Sequence, residues 1–212
     1  MSKYLIMRLK SPLQSWGLVS HFDTRDTSGF PTKSGVVGLL CSALGIQRGD
    51  EVSIEELAGL QMSAIRTKDG ILHTDFHTVG HKHTHSMHQL RTADGKTKQG
   101  AVTYRDYLVD AEFIVVLTGA ASVIDRCSKA LDNPKWSVHL GRRSCIPTLP
   151  VLETVLTSKD DVIKYLEKQG VTSEMFCQSD ADSGAGQMDV PVNFESRVFT
   201  HRFVTDECVF VR

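Results

Sequence analysis

Residues 78–103 contain few large apolar side chains, although apolar segments lie on both sides of them. The stretch is rich in His, Lys, Gly and Thr, so it cannot supply a core of its own. Irregular connections of this length are uncommon inside a compact domain. We therefore predict that these residues, called the arm below, form a protruding loop or hairpin.

Apolar periodicity on either side of the arm predicts strands and helices in one sheet-based unit. Tyr4–Leu9 alternates as a strand does, and apolar residues recur at helical spacing over about 33–44, where Gly45 marks the end. The pattern predicts further strands at 62–66, 71–76, 112–118 and 148–156, and helices at 122–131 and from Ser158 to before Gly170. This order through residue 156 fits an α+β, ferredoxin-like domain (1–156) with the arm inserted, and residues 157–212 are expected to pack on it as a helix and strands.

Three local patterns complete the prediction of secondary structure. Ser53 and Glu56 have the spacing of a capping box for a short helix through Leu60. Residues 178–187 are acidic and glycine-rich, which predicts a flexible loop, and strands are expected at 197–203 and 207–211.

Composition excludes several classes of protein. The net charge of −1 over 212 residues rules out a globally basic nucleic-acid binder, so any such contact must come from local basic patches. The five cysteines are scattered without a Cys-x-x-Cys pair, which argues against a disulfide framework or a cysteine zinc site. The amino terminus, broken by Arg8, is neither a signal peptide nor a membrane span, so we expect a cytoplasmic protein without a membrane partner.

The start of the helix at residue 33 is a candidate phosphate site. Unpaired backbone N–H groups, the hydroxyls of Thr32 and Ser34 and the ammonium of Lys33 are the groups that bind a phosphate oxygen. The alternative is that Thr32 only caps the helix and Lys33 points to solvent.

Two short turns offer further contacts to a nucleic acid. Trp16 lies in a polar turn, where its ring would either stack on an unpaired base or lie in the core. Gln14, two positions earlier, would hydrogen-bond either a base edge or only its own turn. At Gly141-Arg-Arg-Ser144, Arg142 and Arg143 cannot both face a core, so at least one is available to phosphate unless the turn is simply solvated.

Histidines are concentrated around the arm, at positions 73, 77, 81, 83, 85 and 88. His81, His83 and His85 would share one face of a strand and are a weak candidate for metal binding, since no cysteine or carboxylate completes the site. The interpretation we favour is a polar, RNA-contacting or subunit-contacting arm, to which Lys82 and nearby cations give local positive charge.

A ribonuclease is the alternative function. It needs a general base near the attacking 2′-OH and a cation for the phosphorane charge. His77, Tyr104, Lys33 and His139 are candidates, but no spacing in the sequence gathers them into one site.

Six segments together resemble the fifth Cas protein family, subtype I-E, of the RAMP superfamily, which comprises the CasD-type subunits of CRISPR Cascade complexes. The likeness runs in order over about residues 3–152 and fades in the last third. The segments are Leu9-Lys-Ser-Pro-Leu-Gln-Ser-Trp-Gly17, Phe30-Pro-Thr-Lys-Ser-Gly-Val-Val-Gly-Leu-Leu40, Leu44-Gly-Ile-Gln-Arg48, Asp75-Phe-His-Thr-Val79, Tyr104-Arg-Asp-Tyr-Leu108 and Leu140-Gly-Arg-Arg-Ser-Cys145.

The resemblance implies a ferredoxin-like (RRM-like) domain with a protruding thumb. It implies a subunit that binds the repeat-derived 5′ handle of the CRISPR RNA and caps one end of the backbone filament. The expected partners are the backbone and large subunits, and target DNA is expected to be contacted only through the complex. No catalysis, metal or cofactor is expected in this subtype, whereas a sister subtype uses the equivalent protein as a metal-independent endonuclease. The residues expected to contact RNA are Gln14, Trp16, Thr32, Lys33, Ser34, His77, Lys82, Tyr104, Arg105, Arg142, Arg143 and Ser144.

Overall fold

The computed structural model describes residues 2–21, 23–79, 90–91, 97–98 and 100–211. Its mixed α+β content agrees with the predicted class. The helices are α1 (Lys33–Leu44), α2 (Glu51–Ala58), α3 (Ala121–Asp132) and α4 (Lys159–Lys168). The strands are β1 (Ser2–Lys10), β2 (Leu13–Gln14), β3 (Ser20–His21), β4 (Thr24–Arg25), β5 (Gln61–Lys68), β6 (Ile71–Val79), β7 (Leu90–Arg91), β8 (Thr97–Lys98), β9 (Ala101–Val109), β10 (Glu112–Ala120), β11 (Leu152–Leu156), β12 (Cys177–Ala181), β13 (Ala185–Asn193) and β14 (Val198–Thr205).

A seven-stranded antiparallel sheet organises the chain, in the order β11-β1-β10-β5-β12-β14-β13. Strand β10 lies inside this sheet, and its apolar run is buried on both faces. Phe113, Val115 and Leu117 belong to the core under α1, α2 and α3, while Ile114 and Val116 belong to the core under α4. The predicted central strand at 112–118 is thereby confirmed.

Helix α1 forms where the apolar spacing predicts it. The hydroxyl of Thr32 caps its first turn, and Gly45 ends it in the left-handed conformation (φ 73°), with its N–H directed to the carbonyls of Cys41 and Ser42. The side chains that recur at helical spacing face the core. In the described ranges, no helix has the length and apolar character needed to cross a membrane.

A second sheet is built around a long hairpin of β6 and β9. The two strands pair over their whole length, from Ile71 opposite Val109 to Val79 opposite Ala101. Strand β2 and parallel β4 join the free edge of β9, and β3 pairs with β4. The hairpin leads directly into the arm, of which residues 80–89, 92–96 and 99 lie outside the described residues.

The structure corrects three predictions of secondary structure. Residues 178–187 are not a flexible loop, because most of them belong to β12 and β13, whose polar side chains enter a buried ion network described below. The cap of α2 is Asp50, which accepts from the N–H of Ser53, so the capping box at Ser53 is wrong. Residues 207–211 form a turn rather than a strand, and Phe210 packs edge-on against Tyr4.

Candidate nucleic-acid interface

The first turn of α1 is capped from within the chain. The Thr32 hydroxyl accepts a hydrogen bond from the N–H of Gly35 at 3.2 Å, and Thr32 is almost fully buried. The half-buried Ser34 directs its hydroxyl to the Thr32 oxygen at 3.4 Å. The Thr32 cap agrees with that part of the alternative interpretation, whereas its other part, a solvent-facing Lys33, is wrong because Lys33 is buried.

Two carboxylates fill the place expected for a phosphate. The backbone N–H of Lys33 donates to Asp189 Oδ2 at 2.7 Å, and Lys33 Nζ donates to Asp180 Oδ2 at 2.6 Å. Arg202 donates to both oxygens of Asp189, at 2.7 and 2.9 Å, and also pairs with Asp180. Lys33 is not solvent-facing and its ammonium is already paired, so the structure contradicts its assignment as a phosphate ligand.

Burial and charge act in opposite directions on the pKa values in this network. Burial lowers the pKa of Lys33, and the Asp180 carboxylate opposes that effect. Burial also disfavours the charged form of Arg202, but its hydrogen bonds to Asp189 and the charges of Asp189 and Asp180 raise the pKa above its ordinary value. The network is a buried connection between α1 and the β12–β14 strands.

Gln14 and Trp16 are core residues. Gln14 Nε2 donates to the carbonyls of Leu9 and Ala111, at 3.2 and 2.7 Å, and its Oε1 accepts from Trp16 Nε1 at 3.1 Å. Both side chains are fully buried, and the indole lies against Gly35 at the start of α1. A ring without exposed surface has no face for a base, so the prediction that these two residues contact RNA is wrong and the core alternative holds.

Arg142 holds the turn at 141–144 against the hairpin. Its Nη1 donates to the carbonyl of Asp106 at 2.9 Å, and its Nη2 donates to the carbonyl of Arg25 at 2.9 Å. The guanidinium also lies 4.7 Å from the ring centroid of Tyr107. These contacts make Arg142 a residue that positions the turn, while its neighbours Arg143 and Ser144 are exposed.

One face of the hairpin carries most of the remaining predicted residues. Asp75 lies opposite Arg105 and His77 lies opposite Thr103, so these side chains share a face with Tyr107. Arg105 Nε donates to Thr103 Oγ1 at 3.3 Å. Because Arg142 stacks on Tyr107, the exposed turn at 143–144 adjoins this face. Tyr107 is not among the residues predicted from the sequence. It lies two positions after Arg105 in the same strand, and this spacing places the two side chains on one face.

His77 has an unusual environment on this face. The residue is half-buried, and its Nδ1 is buried without a hydrogen-bond partner among the described residues. A buried ring nitrogen without a partner is costly unless a ligand or water satisfies it. His77, Arg105, Arg143 and Ser144 form what we call the hairpin face.

Tyr104 lies on the opposite side of the same hairpin. It pairs across the strands with Phe76, at 5.6 Å between ring centroids, and is 46% exposed. The structure therefore separates Tyr104 from Arg105. Lys82, together with His81, His83, His85 and His88, lies outside the described residues, so its role and the metal-binding hypothesis stay predictions.

Comparison with known proteins finds CRISPR-associated relatives. The family model described as CRISPR-associated protein (Cas_Cas5) matches residues 4–205. A protein of Escherichia coli (strain K12) named CRISPR system Cascade subunit CasD is 34% identical over 190 residues, covering 84% of this chain and 82% of that protein.

Two solved structures resemble the fold over nearly the whole chain. One, described as a CRISPR RNA-guided surveillance complex, has a TM-score of 0.80 and 28% identity, covering 95% of this chain and 89% of the other. Another, described as a crystal structure of Cas protein, has a TM-score of 0.71 and 32% identity, covering 96% and 93%. The likeness thus continues through the last third, where the sequence motifs fade.

Proposed function

Because the chain belongs to the CRISPR-associated protein (Cas_Cas5) family, we propose that it is a non-catalytic subunit of a CRISPR RNA-guided surveillance complex. In this role it binds the repeat-derived 5′ handle of the CRISPR RNA and caps one end of the backbone filament. Its partners are the backbone and large subunits, and it meets target DNA only through the complex, in the cytoplasm. The named Cascade relative and the similar chain of a surveillance complex support this assignment.

The hairpin face is the observation that carries the proposal. Arg105 and the exposed Arg143 supply guanidinium groups, which bind phosphate through paired N–H donors. The Ser144 hydroxyl, and His77 Nδ1, which has no hydrogen-bond partner among the described residues, add polar groups to this face. Such groups fix a nucleic-acid backbone without reading its sequence. The site takes an RNA backbone along the hairpin, rather than a phosphate at the start of α1.

The ferredoxin-like character and the domain limits are part of the same proposal. Strands β11-β1-β10-β5 are antiparallel neighbours, and α1 and α3 connect β1 to β5 and β10 to β11. This connectivity supports a ferredoxin-like unit within residues 1–156, with the arm inserted at 78–103. Residues 157–212 then extend the same sheet through β12, β14 and β13.

The separation of the candidate nuclease groups supports a non-catalytic role. Lys33 is buried against Asp180 beside α1, whereas Tyr104 lies exposed on the hairpin. Tyr104 also faces away from His77, because the two occupy opposite sides of the β6–β9 pair. General acid–base catalysis needs such groups within hydrogen-bond reach of one substrate. We expect repeat RNA incubated with the chain in EDTA to stay intact, and a cyclic-phosphate product would overturn this part of the proposal.

Binding is tested in the reconstituted complex with the double variant Arg105→Ala/Arg143→Ala. Removing one cation that binds a phosphate lowers the slope of log affinity against log salt by about 1. We expect weaker handle retention with a slope reduced by about 2. Arg126→Ala is the matched control, since this half-exposed arginine of α3 pairs with Glu56 away from the hairpin. Equal slopes for the double variant and the control would contradict the site.

A further inference from the structure

Four side chains form a continuous column of aromatic and cation–π contacts that runs from the core to the surface. Phe113 is fully buried in β10, and the ring of Phe30 lies 5.9 Å from it. The guanidinium of Arg66 lies 4.6 Å from the centroid of Phe30 and 5.0 Å from that of Phe176. Phe176 ends the column and is 65% exposed.

The outermost ring is held by the backbone. The N–H of Arg66 donates to the carbonyl of Phe176 at 2.9 Å, so the exposed residue is anchored to β5 just before β12 begins. The next residue, Cys177, is buried in the core under α4, which directs Phe176 to the other face of the sheet. The backbone hydrogen bond and the Arg66 guanidinium therefore hold the exposed Phe176 ring in place at the surface.

The column ends near the root of the hairpin. Arg66 lies in β5, and Asp69 and Gly70 connect that strand to β6. Arg66 Nη1 pairs with Asp69 at 3.1 Å in this connection. The residues before the ring, Thr172 to Glu174, are polar and exposed. An exposed aromatic ring thus stands among polar groups, beside the element to which we assign the RNA.

We propose that Phe176 is a stacking platform for one unpaired base of the bound RNA, an inference that rests on the proposed function. Aromatic side chains hold the splayed bases of single-stranded RNA by their faces. The Arg66 guanidinium supports the inner face of the ring, so that the outer face is left for the base. Stacking needs no hydrogen bond to the base, which fits a ring with no polar group of its own.

The experiment uses the reconstituted complex, with 2-aminopurine placed at each handle position in turn. We expect one position to be quenched in the wild type and to regain fluorescence in Phe176→Ala, with handle affinity lowered about 5- to 150-fold. Phe176→Trp should keep the quenching. Phe203→Ala is the matched control, because Phe203 in β14 is 49% exposed and takes no part in the column.

The outcomes separate this inference from the proposed function. If Arg105→Ala/Arg143→Ala weakens binding but Phe176→Ala leaves affinity and fluorescence unchanged, the platform is wrong and the hairpin face stands. If Phe176→Ala instead impairs assembly with the subunits while the quenched position stays quenched, the ring is a protein contact and the inference is overturned. Circular dichroism of each variant verifies that it is folded.

Discussion

Lys33 shows how a residue suited to phosphate is used for another purpose. Its backbone N–H and its ammonium bind two carboxylates of the same chain, and its side chain is only 4% exposed. A buried ion pair adds little net stability over an apolar pair, but the loss of one partner leaves an uncompensated charge. We therefore expect Lys33 to contribute to folding rather than to RNA binding.

Replacing Lys33 by methionine tests this role. The Lys33→Met variant leaves Asp180 and Asp189 with fewer cations in a buried site, so we expect the free energy of unfolding to fall by about 3–5 kcal/mol. Urea denaturation followed by circular dichroism measures the change. Lys68→Met is the control, because its ammonium pairs with Asp110 at the surface, where such pairs contribute about 0–1 kcal/mol. Similar losses in both variants would contradict a buried network.

The sequence could identify the Thr32 cap but not the partners of Lys33. A cap depends on residues three positions apart, whereas Asp180 and Asp189 lie 147 and 156 positions from Lys33. The same limit applies to Trp16, whose core role depends on a hydrogen bond to Gln14 and on Gly35, a residue of another element. Local pattern alone therefore suggested RNA contacts at positions that the fold buries.

Among the elements, the turn at 141–144 depends most on one glycine. Gly141 adopts φ 94°, and a Cβ there would overlap the carbonyl oxygen of Ser15. The turn must approach the chain near Trp16 this closely for Arg142 to reach the carbonyls of Asp106 and Arg25. A side chain at 141 would displace the arginine that positions the turn.

We expect Gly141→Ala to lower the free energy of unfolding by about 1–3 kcal/mol, because alanine is strained at the positive φ of this position. The overlap with Ser15 adds to this cost, and thermal denaturation measures the sum. Gly29→Ala is the control, because no atom lies within 4 Å of the added Cβ. A melting temperature for Gly141→Ala equal to that of the control would show that the turn adapts without cost.

The elements that the sequence predicted well are those with an apolar repeat. Helix α1 and strand β10 have one, and both form at the expected residues. Strands β12 and β13 do not, because Ser179, Asp180 and Asp189 occupy positions where a strand usually presents apolar side chains. Asp180 and Asp189 are paired with Lys33 and Arg202, so the pattern of these two strands is understood only once the tertiary contacts are known.

At the scale of the whole molecule, Arg8 connects parts that are distant in sequence. From β1 it pairs at 2.5 Å with Glu112 of β10 and with Glu153 of β11, and its Nη2 donates to Gln169, just after α4, at 2.7 Å. Although burial disfavours the Glu112 carboxylate, hydrogen bonds from Lys10 and Arg8 hold its pKa below the ordinary value of 4.5. Because of this cluster, the stability of the fold decreases when acid protonates Glu112.

A depressed carboxyl pKa sets the sign of that dependence. The contribution of Glu112 is present above its unfolded pKa and is lost as the pH falls through the lower folded pKa. We expect Glu112→Gln to be less stable than the wild type at neutral pH, with the difference shrinking below about pH 4.5. Urea denaturation from pH 3 to pH 7 measures it, with the exposed Glu174→Gln as control. A difference that grows on acidification would contradict this account.

The contacts of Lys33 also bear on how the protein is made. A nascent chain leaves the ribosome from its amino terminus, and its early segments start to fold first. When α1 emerges, Asp180, Asp189 and Arg202 have not yet been synthesised. The ammonium of Lys33 must therefore stay hydrated until the strands that carry Asp180, Asp189 and Arg202 have been translated. The buried side of α1 can therefore reach its final packing only after β12, β13 and β14 have been translated.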